Sequence, residues 1–307
     1  MFNCQSCGCE TKSKKIIKIA TNFPSTLETL QKNKKLINQI GFELQIFDEN
    51  QLKEQYQVNC NDALKAGIID FNIANNFHTL KAYNNYFAPE PLERLEMIEP
   101  FFHPKYGLYA NKQNPLKIQT LEDVKKIKNA RVLFAPFNDL FTAPCDLSRS
   151  LLLLRKLNLI KIDEKIIEQK GYNLSLEDIE NISNLQFIKT DNIFKVAQLF
   201  EDYNTYDLAI NCPGLMRKNV NFLRLGSIGL GTNENEEPTD IVFSSYAIIL
   251  AAKKNCQSSQ NIKAMKWFLR NEEVKNTLLQ TGKPNHDYIM VGNPEQLKYN
   301  ILNKFDK

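Results

Sequence analysis

Residues 142–149 precede a leucine-rich stretch and combine the residue types of an anion-binding site. The apolar run Leu147–Leu157 predicts a helix, and Asp146 directly before it has the side chain of an N-cap. Arg149 then lies in the first turn, where a cation faces the positive end of the helix dipole at a cost of about 0.3–1 kcal/mol. A bound carboxylate would reverse that sign, because it accepts free backbone N–H groups and a bidentate guanidinium fork. From this pattern alone a solvated surface arginine is slightly favoured, and a carboxylate-binding Arg149 is the functional alternative.

Further polar side chains follow predicted strands, at the edge where open α/β sheets bind ligands. One asparagine ends the strand Tyr206–Ile210 and offers the donor and acceptor that a zwitterionic ligand needs. Amides beside aromatic rings follow the third strand and suit a small-molecule pocket. Turn-forming asparagines in an Asn-rich chain are the alternative. With Arg149, the ligand-binding candidates are Asn211, Asn72, Asn75, Asn76, Phe77, His78, Thr21 and Asn22.

Signals for catalysis are weak in this sequence. The three histidines do not have metal-ligand spacing, and neither a nucleophile elbow nor a phosphate-binding loop is present. The glycines of residues 226–231 have the wrong spacing for a dinucleotide fingerprint. We therefore expect a non-enzyme without cofactor or metal. An enzyme that uses Cys145 or His78 beside a cleft is the alternative, since a cysteine becomes nucleophilic when its pKa is lowered.

Three cysteines, Cys4, Cys7 and Cys9, lie within the first nine residues. A polar tether follows them, so Cys9 or Cys7 could be the lipid-modified head of a mature surface protein; a diacylated cysteine would anchor it stably. Incidental thiols are the alternative. A zinc site is less favoured, because a structural site wants four ligands and no fourth is near.

Composition excludes several classes of protein. The 307 residues are 43% hydrophobic and 24% charged, as in ordinary globular chains. A net charge of +4 is too balanced for a typical nucleic-acid binder. The sequence contains neither a run of about 20 apolar residues for a membrane span nor the apolar stretch of a secretory signal. At face value the chain is cytosolic; the alternative is that a leader has been removed before the cysteines.

Apolar strand patterns alternate with helical periods, which predicts α/β architecture with mostly parallel sheets. One alternating unit precedes a polar connector over residues 90–97, and a second alternating unit follows it. A late apolar run returns to complete the first sheet, so we expect two interleaved lobes with a cleft between them. The predicted strands are Ile16–Ala20, Phe42–Phe47, Ile68–Ile73, Arg131–Ala135, Gln186–Thr190, Tyr206–Ile210 and Ile241–Ala252. The expected organisation is a tether at 1–13, a first lobe at 14–111 plus 241–307, and a second lobe at 112–240.

Seven segments in order resemble the methionine-binding lipoproteins of bacterial ABC importers, the NlpA type. The similarity runs from about Lys14 to Gly292. No single segment is specific, but seven in the right order are hard to obtain by chance. The segments are Ile16–Ala20, Ala63–Asn72, Gly107–Lys112, Ser148–Leu154, Leu159–Ile162, Asp207–Asn211 and Tyr246–Ala252.

This resemblance implies a two-lobed periplasmic-binding-protein fold of type II that closes on an amino acid and delivers it to a membrane permease and its ATPase. In the family, the arginine that opens the leucine-rich helix clamps the ligand carboxylate, which here is Arg149. The asparagine at the end of a second-lobe strand, here Asn211, binds the backbone end of the ligand. A monomer, lipid-anchored on the extracytoplasmic face of the membrane, is also implied, with no nucleic-acid partner.

The chain departs from the family at the pocket. The usual Asn-Ala-Phe-Gln-His run becomes residues 72–76, so the pocket histidine falls on Asn76 and the aromatic on Ala74. A second ligand-binding asparagine falls on Ile248. Phe77 and His78 could replace the lost groups by a shift of one or two positions. Methionine, a related amino acid or a short peptide are all compatible with the Arg149 clamp, and a surface antigen with a vestigial cleft is a further alternative.

Overall fold

The computed structural model describes residues 14–134, 145–170, 173–190, 193–216, 219–227, 241–283 and 286–306. The tether at 1–13, with Cys7 and Cys9, lies outside these ranges. Across them, every helix is too short or too polar to cross a membrane.

Strands form two separate sheets. They are β1 (Lys15–Thr21), β2 (Phe42–Asp48), β3 (Phe71–Asn76), β4 (Leu95–Pro104), β5 (Gly107–Asn111), β6 (Arg131–Phe134), β7 (Gln186–Lys189), β8 (Leu208–Asn211), β9 (Phe222–Ser227), β10 (Ile248–Lys253) and β11 (Tyr288–Met290). The six-stranded sheet has the order β11-β4-β10-β3-β1-β2, and the five-stranded sheet has the order β7-β6-β8-β5-β9.

Helices cover the faces of both sheets. They are α1 (Pro24–Asn33), α2 (Glu49–Tyr56), α3 (Cys60–Lys65), α4 (Phe77–Phe87), α5 (Leu121–Lys126), α6 (Cys145–Lys156), α7 (Glu164–Lys170), α8 (Ile193–Leu199), α9 (Pro213–Met216), α10 (Ile241–Ser244), α11 (Ser259–Arg270), α12 (Glu272–Thr281) and α13 (Pro294–Phe305), with 3-10 turns at Leu36–Ile40 and Leu176–Asp178.

Each sheet joins a parallel half to an antiparallel half. β1 pairs in parallel with β2 and β3, and β6 pairs in parallel with β7 and β8. The remaining ladders, through β10, β11 and β5, are antiparallel. The two-sheet α/β architecture is thus confirmed, and the parallel pairing holds for the strands that helices connect. The antiparallel strands are those next to the crossings between the sheets.

The chain first crosses between the sheets at residues 105–106. β5 was expected in the first lobe, which was drawn to residue 111, but it pairs with β8 and β9 in the second sheet. The first crossing therefore lies between β4 and β5. The chain returns between β9 and β10.

Buried apolar side chains fill both faces of each sheet. In the first sheet, Ile17 and Ile19 of β1 pack with Phe268 on one face, while Ala20 packs with Leu80 on the other. In the second sheet, the leucines at 151–154 of α6 are at most 1% exposed and form the main core. Burial on this scale drives both lobes to fold and holds α6 rigidly against its sheet.

Three expected elements differ in their boundaries. The third strand was expected at 68–73, but the turn at Gly67, with φ +73°, continues to Asp70, and the strand runs over Phe71–Asn76. The expected strand 241–252 begins as helix α10. The expected polar connector at 90–97 contains the start of β4, where alternate residues are buried. In each case tertiary burial decided the boundary over the local pattern.

Candidate functional site

A cavity of about 320 Å³ lies between the two lobes. That volume is at the small end of the range for small-molecule pockets. The second lobe contributes Asp146, Arg149, Ile193, Cys212 and Leu215. The first lobe contributes the amides of Asn22, Asn59, Asn61, Asn75 and Asn76, the acids Glu49 and Asp62, and the side chains of Phe23, Cys60, Ala74, Thr79, Tyr83, Phe87 and Ile248.

Arg149 lines this cavity and is only 3% exposed. Its guanidinium carbon lies 4.3 Å from the ring centre of Tyr106 and 5.2 Å from that of Tyr246. Nη2 donates a hydrogen bond to the carbonyl oxygen of Pro104 at 3.1 Å. Nε is buried without an acceptor among the described residues. The side chain is fixed in place and retains an unused donor.

Arg149 contacts both crossings between the lobes, and its Nη1 also donates to Cys212 Sγ at 4.0 Å within the second lobe. Tyr106 belongs to the first crossing, Pro104 ends β4 directly before it, and Tyr246 precedes β10 after the second crossing. Tyrosine faces attract a guanidinium through cation–π interaction. Arg149 therefore packs against both segments that connect the two sheets.

Asp146 lies one helical turn before Arg149 and also lines the cavity. Because α6 begins at Cys145, Asp146 lies in its first turn and not at the expected N-cap. Its side chain is 8% exposed, and within the described part of the chain its carboxylate accepts no hydrogen bond and forms no ion pair within 4 Å. Burial raises the pKa of Asp146 to about 6, although the charge of Arg149 opposes the rise. The second-lobe wall thus carries two buried, incompletely partnered groups of opposite charge.

The first-lobe wall is organised around Asn61. Its Oδ1 accepts hydrogen bonds from Asn72 Nδ2 at 2.8 Å and Asn75 Nδ2 at 2.7 Å, while its Nδ2 donates to Asn75 Oδ1 at 3.1 Å. Asn76 caps α4 by accepting from the Thr79 backbone N–H at 2.9 Å. Paired amides of this kind make a rigid polar surface.

Asp62 forms a second group on the same wall. Tyr83 Oη donates to Asp62 Oδ1 at 2.7 Å, and Asn59 Nδ2 donates to Asp62 Oδ2 at 2.7 Å. Burial and this carboxylate raise the pKa of Tyr83 above its ordinary value. The ring of Tyr83 lies 5.5 Å from that of Phe87. Asp62 is therefore held by two neutral donors beside an aromatic pair.

Only some of the predicted site residues line the cavity. Arg149, Asn22, Asn75 and Asn76 do, together with the family-derived positions Ala74 and Ile248. Asn22 Oδ1 is buried without a described hydrogen-bond partner. Cys145 opens α6, and its side chain lies outside what the structure describes.

The other predicted residues are buried and do not line the cavity. Asn211 Nδ2 donates to the Ile193 carbonyl at 2.9 Å, and its Oδ1 accepts from the Cys212 N–H at 2.7 Å. Thr21 Oγ1 donates to the Ile73 carbonyl at 2.7 Å. Asn72 is engaged with Asn61, while Phe77 and His78 pack into the protein interior. Thr21 and Asn211 end their strands as expected, but the polar side chains of this set bond to other groups of the protein.

Sequence reasoning did not select Asn61, Asp62, Tyr83 or Glu49 as site residues. The available signal was Asn59, which caps α3 by accepting from the backbone N–H groups of Asn61 and Asp62. An N-cap asparagine marks a helix start, and this helix follows α2 and not a strand. The Asn59 cap therefore predicts where a helix starts and does not predict a ligand. Helix α2 was not predicted from the sequence.

The described side chains of the cavity do not favour a nucleophilic thiol or a metal site. Burial raises the pKa of Cys212 to about 11, so this thiol stays protonated at neutral pH and is a poor nucleophile. Among the described residues, His, Cys, Asp and Glu side chains form no group that could hold a metal ion.

His78 gives a testable pH dependence. Its Nε2 lies 2.7 Å from Ser245 Oγ, and its ring packs 4.9 Å from Phe305. Burial lowers the pKa of His78 to about 3, with Lys81 adding to the effect. Unfolded chains take up this proton near pH 6.5 and the folded protein does not, so the free energy of unfolding falls with pH below about 6.5, by roughly 1.4 kcal/mol per unit.

Between about pH 6.5 and pH 5, we expect the free energy of unfolding of the wild-type protein to fall on the order of 2 kcal/mol further than that of His78→Gln. Urea denaturation at the two pH values measures the difference. The variant provides the control for other titrating groups, including Asp146, whose raised pKa acts in the opposite direction. Parallel pH profiles for the two proteins would contradict a neutral, buried His78.

Comparison with known proteins places the chain in a family. No curated protein matches the sequence. The fold is shared with protein PG110 of Staphylococcus aureus (TM-score 0.70, 19% identity, 94% of this chain and 99% of that one). It is shared with a candidate methionine-binding lipoprotein of Bacillus subtilis (TM-score 0.68, 19% identity, 91% and 99%). It is also shared with a periplasmic substrate-binding protein of an ABC transporter from Coxiella burnetii (TM-score 0.63, 20% identity, 90% and 100%).

The family model of the NlpA lipoproteins matches residues 17–289. That range covers all of both sheets except Lys15, Ile16 and Met290, and it includes every described residue that lines the cavity. The chain therefore belongs to the NlpA lipoprotein family.

Proposed function

We propose that this protein is the substrate-binding protein of an ABC importer and binds an amino acid or short peptide between its lobes. The observation that carries the proposal is Arg149, a buried arginine that lines the interlobe cavity with an unused Nε donor. A ligand carboxylate supplies the missing acceptor and receives a charge-assisted hydrogen bond.

Delivery follows from the two-lobed shape. The ligand contacts Arg149 on the second lobe and the amide wall of the first, so binding shifts the population toward a closed form. A permease with its ATPase recognises that form. In this proposal the lobes are 14–104 plus 248–306 and 107–227, and the protein works as a monomer held at the extracytoplasmic membrane surface by a lipid on Cys9 or Cys7.

Methionine fits this proposal through the Bacillus subtilis neighbour. The cavity itself presents Asn76, Ala74 and Ile248 at the positions where the family resemblance expects a histidine, an aromatic and an asparagine. Related amino acids and short peptides therefore belong in the same test.

The test is a thermal-shift screen of free amino acids and dipeptides against their C-terminal amides. We expect at least one free acid to raise the melting temperature and its amide to leave it unchanged, because the amide lacks the carboxylate for Arg149. Equal shifts for acid and amide would contradict the role of Arg149. An absence of shifts across the whole set would contradict the proposed function.

A further inference from the structure

The charges around the cavity are unbalanced. Its described lining contains three carboxylates, those of Glu49, Asp62 and Asp146, and a single cation, Arg149. Glu49 is neutralised by Lys53 at 2.8 Å. The carboxylates of Asp62 and Asp146 then remain with the single cation of Arg149, so the described lining has one negative charge in excess.

Asp146 is placed to pair with the α-ammonium of a zwitterionic ligand. It is more than nine-tenths buried, lines the cavity and has no described hydrogen-bond donor. A carboxylate in that position is costly unless it is paired. A ligand whose carboxylate binds Arg149 brings its α-ammonium to the same wall, because the two residues are separated by one turn of α6.

Asp62 then remains on the opposite wall, in the first lobe. Its partners, Tyr83 Oη and Asn59 Nδ2, are neutral, so its charge is not cancelled. Tyr83 and Phe87 line the cavity beside it. A carboxylate next to aromatic rings is an environment that attracts an organic cation, by ion pairing and cation–π interaction together.

We infer that the ligand is a basic amino acid, or a short peptide with a basic side chain, whose side-chain cation binds at Asp62 while its α-carboxylate binds Arg149. This inference rests on the proposed function and names its substrate class. A neutral zwitterion such as methionine leaves Asp62 without a counter-charge. A basic ligand neutralises the cavity and connects the two lobes through a charged group at each end.

The experiment compares lysine with norleucine, which has the lysine carbon chain and lacks the side-chain ammonium. Calorimetric titrations use wild-type protein, Asp62→Asn and the surface variant Glu272→Gln, with arginine, ornithine and methionine as further ligands. We expect wild-type protein and Glu272→Gln to bind a basic amino acid at least roughly tenfold more tightly than norleucine or methionine. In Asp62→Asn that preference should be lost.

Tyr83→Phe provides a second variant, since it keeps the ring and removes one donor to Asp62; we expect the preference for a cation to fall less than in Asp62→Asn, and an equal or larger fall would overturn the role of the Asp62 charge. The unliganded melting temperature verifies that each variant is folded. Norleucine or methionine binding as tightly as lysine would overturn this inference and leave the proposed function standing. A preference for lysine that survives in Asp62→Asn would overturn the role of Asp62. Failure of every ligand with a free carboxylate to bind would overturn the proposed function, and the inference with it.

Discussion

Replacing Arg149 with methionine should reduce ligand affinity by roughly 100-fold or more. Arg149 is 3% exposed, lines the cavity and is held by Tyr106 and the Pro104 carbonyl, so its guanidinium needs no further ordering to meet a ligand. Removing one partner of a buried charge pair costs about 2–5 kcal/mol, since the ligand carboxylate would then be desolvated without a counter-charge.

Calorimetry with the tightest ligand from the thermal-shift screen measures this effect. Arg155→Met is the matched control, because Arg155 lies on the same helix and pairs with the exposed Glu164 at the surface. Arg149→Lys should also bind weakly, because an ammonium reproduces neither the planar fork nor the stacking between two tyrosines. Near-wild-type affinity in Arg149→Met would contradict the proposal that Arg149 binds the ligand carboxylate.

Replacing Arg270 with methionine should destabilise the fold by about 3 kcal/mol. Glu99 in β4 is 1% exposed, and Arg270 donates to its Oε2 from Nη2 at 2.6 Å and from Nε at 3.1 Å. Burial keeps the pKa of Glu99 above its ordinary value even with this partner, which indicates how costly the ionised form is. Without Arg270, Lys266 at 3.9 Å is the nearest remaining cation in the described structure.

Urea denaturation checks this prediction. Lys275→Met, which removes a surface pair with Glu272, should change the free energy of unfolding by less than about 1 kcal/mol. The double variant Glu99→Met/Arg270→Met should recover much of the loss, because it removes the buried charge together with its partner. The single-variant loss should shrink in acid, since protonated Glu99 no longer needs a counter-charge. Equal changes in the free energy of unfolding for Arg270→Met and Lys275→Met would contradict the conclusion that buried Glu99 needs Arg270 as a counter-charge.

The sequence predicted the features that depend on chain-wide burial patterns. Long apolar runs placed the helix of Arg149 and most of the buried strands within a few residues. Arg149 was selected because the sequence placed it in the first turn of an apolar helix, where a cation opposes the helix dipole. Because α6 begins at Cys145, Arg149 lies just after that turn, and it lines the cavity.

The remaining site residues could not be assigned from local patterns. Thr21 and Asn211 end their strands as expected and Asn72 lies near the start of β3, yet each uses its polar atoms within the protein. An amide after a strand can serve a ligand or a neighbouring backbone equally well, and only the packed structure decides between them. Asp62 and Tyr83, separated by 21 positions in the chain, come together through the packing of α3 and α4.

Native mass spectrometry of the protein purified from cells tests the interlobe ligand site most directly. We expect the wild-type protein to carry a non-covalent adduct of the size of an amino acid or short peptide, released on denaturation and identified by its mass as basic. Arg149→Met should carry none. Wild-type protein that is free of any adduct, and stays free when incubated with amino acids and peptides, would contradict a ligand-binding cavity between the lobes.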